Sequence, residues 1–458
     1  MRAALAILAL AGVAQADPPP VPDDELGRIP QATEDEPRRA ARPASLDLRL
    51  YAEDAFTLTA LRDPAVPFPP PAPTDAQNRT SLDAVLTWRP LAGLSFVLGD
   101  RADLVFEDGA PLTSSRTFRN ELRELYVGWE PFARTYLEAG RINIRNGAAL
   151  GYNPTDFFRP RTIVGQASLD PSVLGRNRLG TAMIRAQTIW TGGSASLVYA
   201  PRLYSPSAIP GDAIGIDPRL DATNAAHRAL AEASFNLGDV SAQGLVYLEE
   251  GRSRLGMNLT FPIGQSVIAY AEWAGGPEKN LITRALEYGR ATGTLPAEAG
   301  PPIPTDSSSD FANDVAVGGS WTIATRLTLN LEYHFHQSGL SRGDWDHWFD
   351  AGQASPQLAG ELWYLRGYAN AELEPAAMHQ IFLRLAWPKA IGDHIEIDGI
   401  AFVSLLDGSV LSQTTASYYL SDAWTAALTL GGNFGSARSE RGSLPQSLSG
   451  IFELVRYL

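Results

Sequence analysis

The tail from His379 to Leu458 constrains the fold most. HQIFLRLAWP, HIEIDGIAFVSLL, SVLSQTTASYYL, TAALTLGGNF and SLSGIFELVRYL are separated by PKAIGD, DGS, SDAW and one longer loop. Ile395, Ile397, Gly399, Ala401, Val403 and Leu405 fall on one face of the second segment, and Glu396, Asp398 and Ser404 on the other. A period of two is the signature of a strand with two unlike faces. One face is uninterruptedly aliphatic and the other partly polar, and Trp387 and Trp424 stand at turn ends. Repeated segments of about ten such residues are the unit of a membrane-spanning β-barrel.

The same alternation starts at Ser45, where Leu46, Leu48 and Leu50 oppose Asp47 and Arg49. Tight turns are expected at Arg89 to Gly93, Glu130 to Arg134, Leu237 to Asp239, Pro262 to Gln265, Thr322 to Arg326 and within LRLAWPKAIGDHIEI. Each follows an aromatic residue, as the membrane–water boundary favours. Long connections are expected over 107–117, 146–178, 204–226, 276–313, 338–378 and 435–446. Short turns on one side and long loops on the other predict an all-β, antiparallel transmembrane β-barrel of about 18 strands, with periplasmic turns and extracellular loops. Residues 361–374 (ELWYLRGYANAELE) would make the strand number odd, so they are assigned to a long loop with a short helix.

Mean hydropathy is −0.11, ordinary for a soluble protein. A barrel explains this, because lipid-facing and lumen-facing residues alternate and cancel. The start of the chain reads as an export signal over 1–16: Arg2, an apolar run from Ala3 to Ala14, and an Ala14-Gln15-Ala16 cleavage site. Residues 17–44, rich in Pro and charge, are expected to be a disordered periplasmic segment, with the barrel over 45–458. There is no cysteine, which excludes disulfides and thiolate metal sites. The net charge of −14 argues against a nucleic-acid partner. The expected partners are outer-membrane lipid and lipopolysaccharide, the barrel assembly machinery during insertion, and a small-molecule solute. The expected location is the cell outer membrane, after Sec-type export.

Parity directs Asp83, Arg185, Arg228, Glu232, Glu249, Arg254, Glu272, Glu332, Arg384, Glu396, Asp398 and Glu453 into the lumen, because charges on the lipid face cost free energy. The connection from Arg141 to Arg178 stands apart. It carries Arg141, Arg145, Arg159, Arg161, Arg176 and Arg178 against only Asp156 and Asp170. Folded inward, it would narrow the barrel, and Asn153-Pro154-Thr155-Asp156 is a turn signal with Thr155 or Asp156 as cap of a short helix. Two readings stand for its arginines. They line a constriction that favours anions, or they pair with lumen carboxylates and lock the loop.

Glu138 to Pro160 (EAGRINIRNGAALGYNPTDFFRP) resembles an element of porin-like outer-membrane proteins, a group that includes alginate-export barrels: Gly-Arg, a glycine-rich stretch, then Asn-Pro-x-Asp-Phe-Phe. It departs from that element at Asn146, where Trp is frequent, and at Ala148-Ala149, where Gly is usual. SLLDGS (Ser404 to Ser409) and YYLSDAWT are similar to the last strands of the same group. The resemblance implies a passive outer-membrane channel. No nucleophile elbow, phosphate loop or H-E-x-x-H stands in the chain, so neither catalysis nor a cofactor is expected, and the Arg-rich loop with the mixed lumen points to diffusion or export of small polar or anionic solutes, sugar-acid oligomers among them. The alternative is a plugged barrel acting as surface receptor or scaffold. His334 and His336, two apart on one strand face near His347, Asp344 and Asp346, are weak metal-ligand candidates, and a polar strand end at a loop explains them more simply. Ser307 to Asp310 reads as surface loop rather than as part of a hydrolase site.

Overall fold

The computed structural model describes residues 44–70, 73–107, 117–163, 177–206, 218–323 and 326–458. The expected export signal and all but the last residue of the 17–44 segment lie outside the described residues, as does Arg176.

Eighteen antiparallel strands form one sheet: β1 (Ser45–Leu61), β2 (Ala76–Leu91), β3 (Leu94–Glu107), β4 (Phe118–Phe132), β5 (Thr135–Ile142), β6 (Thr181–Trp190), β7 (Gly193–Ala200), β8 (Arg228–Leu237) and β9 (Val240–Glu249). The second half comprises β10 (Arg252–Ile263), β11 (Val267–Glu278), β12 (Asp310–Thr322), β13 (Thr328–His336), β14 (His379–Ile391), β15 (Ile395–Ser404), β16 (Val410–Ser421), β17 (Trp424–Phe434) and β18 (Gln446–Tyr457). Each strand pairs with its chain neighbour, and β1 pairs with β18 from Tyr51↔Tyr457 to Ala60↔Leu448. The sheet therefore closes and leaves no edge, which satisfies every ladder group without water.

The side-chain period decides which residues face out. Leu82, Ile184, Leu197, Leu255, Leu331, Leu430 and Phe452 are 49–64% exposed on the outer wall, while Asp83, Arg101, Glu272 and Glu332 are buried on the inner one. Trp88, Phe96, Trp129, Phe132, Phe261 and Trp321 mark the turn side, and Phe56, Phe106, Tyr199, Phe311 and Phe434 the loop side. These are the two aromatic girdles of a membrane barrel. No helix among the described residues is long and apolar enough to cross a membrane. The crossing is made by strands.

The loop side is not uniformly long. Glu250 and Gly251 join β9 to β10 in two residues, both with positive φ (42° and 87°), a hairpin of the kind whose twist matches the strands. The longer connections instead build a helical cap. A single turn, α1 (Leu220–Thr223), lies between β7 and β8. α2 (Leu281–Thr292) starts at Asn280, whose side chain accepts from Thr283 N, and ends at Gly293 with φ 72°. α3 (Arg342–Ala354) starts with a Ser341/Asp344 capping box. α4 (Ala359–Glu372) covers the segment whose strand reading would have made the count odd. Its helical state keeps the number at 18. Leu281, Ile282, Ala285, Trp345, Trp348, Phe349, Leu362 and Trp363 form a buried apolar core shared by the three longer helices.

Candidate pore constriction

Beyond β5 the chain turns into the barrel. Its base is closed by a bridge between Ile163 and Arg178, and Leu179 N donates to Thr162 O at 2.7 Å. Between these points the chain reaches the far wall. Ala148 N and Ala149 N donate to Glu272 Oε1 on β11, the latter at 2.6 Å. Leu150 N and Gly151 N donate to the Oε1 and Oε2 of Glu332 on β13, at 2.7 and 2.9 Å. In the cyclic strand order β13 is eight strands from β5, almost opposite it. Residues 143–151 therefore cross the lumen. Two carboxylates that parity alone sent inward accept four consecutive backbone amides. Bonds to an ionised acceptor are the stronger kind.

The fit is close. Gly147 has φ 86°, and a Cβ there would lie 2.4 Å from Glu272 Oε1. A Cβ on Gly151 would lie 2.5 Å from Phe382 Cγ and 2.7 Å from His334 Cε1. The segment returns along the β10–β7 wall. Thr155 Oγ1 donates to Asn258 Oδ1 at 2.9 Å, and Phe157 stacks on Tyr247 with centroids 4.6 Å apart. Phe157 and Phe158 pack with Met183, Val198, Leu230 and Leu245 on the inner wall.

The expected short helix at Thr155 or Asp156 is absent. Asn153-Pro154-Thr155-Asp156 is a turn in which the Asn153 side chain accepts from Thr155 N at 3.2 Å. The Asn side chain completes a local turn in place of a helical first turn, and the two phenylalanines that follow are held by the wall.

The arginines named from sequence have different placements. Arg141, buried near the end of β5, donates to the carbonyls of Gly180, at 2.9 Å, and Pro218. Arg178 forks onto Asp156, with contacts of 2.5 and 3.4 Å. Arg161 pairs with Glu372 at the end of α4, lies 3.3 Å over the Tyr288 ring, and is tied through its own N–H to Ala371 O. Arg145 lies in the crossing segment and donates to Ala149 O at 3.1 Å. Arg159, half-buried, donates to Asn153 O and sits 4.6 Å over the Tyr152 ring. Among the described residues it has no carboxylate within ion-pair distance.

His334 Nε2 lies 2.7 Å from Glu332 Oε2, and His336 Nδ1 lies 2.7 Å from Asp314 Oδ1. His347 stands exposed on α3 and Asp344 caps that helix, so the sequence cluster is dispersed. No group of three or more ligating side chains gathers among the described residues.

Sequence reasoning sent Asp83 inward but missed its neighbours. On β1–β4 Arg123 pairs with Asp83 (2.5 Å), Arg101 with Asp103 (2.9 Å), and Arg79 with Glu53. Tyr51 OH donates to Asp83 at 2.9 Å, and Arg101 is 1% exposed. Arg79, Arg101 and Arg123 share the parity that identified Asp83, and that signal would have found them. Toward the turn side the lumen opens: the side chains of Asp47 and Arg49 are 50% and 67% exposed.

No family model and no curated protein matches the chain. Among solved structures it is similar to Pseudomonas aeruginosa OccK11 (OpdR), at 9% identity over 90% of this chain and 96% of that one, with a TM-score of 0.50. A triple mutant of Rhodopseudomonas blastica porin aligns at 10% identity over 90% of this chain and 100% of that one, with a TM-score of 0.41. At such identity the likeness to OccK11 is one of fold, and it agrees with the closure and the girdles: the chain is an 18-strand transmembrane antiparallel β-barrel.

Proposed function

We propose that the protein is an outer-membrane channel through which small polar or anionic solutes diffuse or are exported. The observation that supports this best is the segment 143–151, which crosses the lumen and is anchored on Glu272 and Glu332. A closed barrel with a polar inner wall of both signs suits water-borne solutes, and a crossing segment limits their size. Arg145, on the segment that crosses the lumen, and Arg159, half-buried just beyond it, are the arginines of the inward loop that this reading places nearest the path of a solute. In this reading the barrel sits in the outer membrane after export, among lipopolysaccharide. The narrower kinship with alginate-export barrels, and sugar-acid cargo, rests on the Glu138–Pro160 resemblance alone.

The test is conductance of the refolded chain in a planar bilayer under a salt gradient. Discrete steps with an anion-favouring reversal potential are expected, and Arg145→Glu combined with Arg159→Glu should move that potential toward cations. Steps that ignore the double substitution would remove the arginines from the path. A folded but silent barrel would favour the second reading, a plugged surface receptor or scaffold. The observation behind that alternative is the helical cap with its tryptophan core over the loop side.

A further inference from the structure

Two tyrosines toward the loop side share an arrangement that alternation does not explain. Tyr199 on β7 has the outward parity of Leu197, and Tyr333 on β13 that of Leu331; they are 48% and 38% exposed. Each meets a histidine at the start of the next strand. Tyr199 OH lies 3.0 Å from Nδ1 of the exposed His227, with the rings stacked at 6.3 Å and 18°. Tyr333 OH lies 2.8 Å from Nδ1 of His379, with the rings at 6.2 Å and 22°. The register is also the same. Tyr199 pairs with Ala229 and Tyr333 with Ile381, each two residues beyond its histidine. The two strand pairs stand far apart round the wall, so the likeness is a repeat and not one shared contact.

A third group fixes the tautomer. Arg202 N donates to His227 Nδ1 at 3.3 Å, and a backbone N–H can only donate. Nδ1 is therefore an acceptor, the Tyr199 hydroxyl donates to it, and the ring proton sits on Nε2. The matching distance and ring angle assign the same form to His379. Neither Nε2 has a protein partner among the described residues. An arginine accompanies each ring. Arg202 meets Glu250 at 3.4 Å, both side chains being over two-fifths exposed, and an exposed pair of this kind is weak. Beside His379, Leu405 N donates to the histidine carbonyl at 3.1 Å, and the exposed Arg342 donates to the carbonyl of Leu406, the next residue.

A tyrosine at the membrane–water boundary ordinarily turns its hydroxyl to water or headgroups. Here the hydroxyl is bonded within the pair. What the pair offers instead is an N–H donor with a guanidinium at hand, on the lipid-facing wall at the ends of strands. Such donors suit phosphate, which forms charge-assisted bonds and pairs well with arginine.

We propose that each Tyr–His pair is a binding site for the phosphate of an outer-leaflet glycolipid. The imidazole Nε2–H and the neighbouring arginine meet the phosphate, and the tyrosine ring lies along the start of an acyl chain. Such sites hold lipid whether or not a solute passes through the barrel. On the turn side His394 and Tyr418 also adjoin, but with rings tilted by 53°, and they supply the control.

The full chain is reconstituted in phosphatidylcholine nanodiscs holding a small share of diphosphorylated lipid A, and native mass spectrometry scores the lipid A retained per barrel. Two molecules are expected. His227→Leu and His379→Leu should each lower retention to one, weakening the altered site about ten-fold for the lost charge-assisted bond, and the double variant should retain neither. His394→Leu should still hold two. Tyr199→Phe with Tyr333→Phe keeps both rings and frees both imidazoles, and it should weaken both sites while the barrel still migrates as folded. Equal retention by the wild type and a folded double histidine variant would overturn the proposal. So would equal retention of lipid A stripped of its phosphates, which would leave acyl packing alone, or full displacement by inorganic phosphate, which would assign the pairs to soluble anions.

Discussion

Two inner walls of the barrel use the same residue types in different ways. On β1–β4 the carboxylates answer arginines of the wall itself: Asp83 with Arg123, Asp103 with Arg101, Glu53 with Arg79. On β11 and β13, Glu272 and Glu332 turn to the backbone amides of a segment that arrives from across the lumen. One wall is locked within itself and the other is a seat for the loop. Alternation places a carboxylate in the lumen in both cases. What it does there depends on whether a cation or a row of free N–H groups is within reach.

The largest effect is expected on the self-paired wall. Asp83→Leu takes the acceptor from Arg123 and from Tyr51 (2.5 and 2.9 Å) and leaves a buried guanidinium uncompensated. Breaking such a pair costs about 3–5 kcal/mol, which urea unfolding in detergent would read. Open-channel conductance should hardly change, and a large change would erase the distinction between the walls.

On the loop-bearing wall the balance should reverse. Glu332→Leu removes the acceptor for Leu150 N, Gly151 N and Tyr270 OH. Because no buried guanidinium is left without its counter-charge, the stability loss should be smaller, about 2 kcal/mol. The crossing segment loses half its seat, so single-channel recordings should show higher and noisier conductance. Unaltered recordings would mean that Glu272 and the Phe157–Tyr247 stack hold the segment without Glu332.

The smallest effect concerns the junction of that wall with the cap. Burial pushes the Glu374 carboxyl up, but Arg284 and His336 outweigh it and hold it well below the usual carboxylate range. A depressed carboxylate stabilises the folded cap above its unfolded value, near 4.5, and loses that contribution as pH falls toward the folded value. Glu372 has the opposite sign, since burial raises it and Arg161 only partly opposes. In a Glu372→Gln background, limited proteolysis of the cap should therefore accelerate below about pH 4. Adding Glu374→Gln should make cleavage faster at neutral pH and flatten that acid limb. An acid limb that survives Glu374→Gln would assign the titration to another group.

Much of this molecule could be read from period two. The tail segments, the tryptophans at turn ends, the inward parity of Glu272 and Glu332, and the exclusion of 361–374 from the sheet all depend on local alternation and strand count. The inward fold of the Arg-rich connection was legible as an expectation from its length and mixed polarity. Its details were not. A helix expected at Thr155 is a turn held by Asn153, because the phenylalanines beyond it find Tyr247 on a strand far away in sequence. Alternation also failed at Asp54 and Asp100, which bond polar side chains of neighbouring strands. A local pattern that breaks in the middle of a strand marks a contact the strand alone does not contain.

Sequence by itself determined the strands, their two faces and the closed antiparallel sheet, because side-chain period and turn chemistry act over a few residues and lipid penalises every misplaced charge. The tertiary structure alone decided where the loop crosses, which carboxylates receive it, and which arginines are neutralised. Those outcomes depend on groups hundreds of residues apart, such as Arg161 and Glu372, coming within hydrogen-bond distance, and no local pattern encodes that distance.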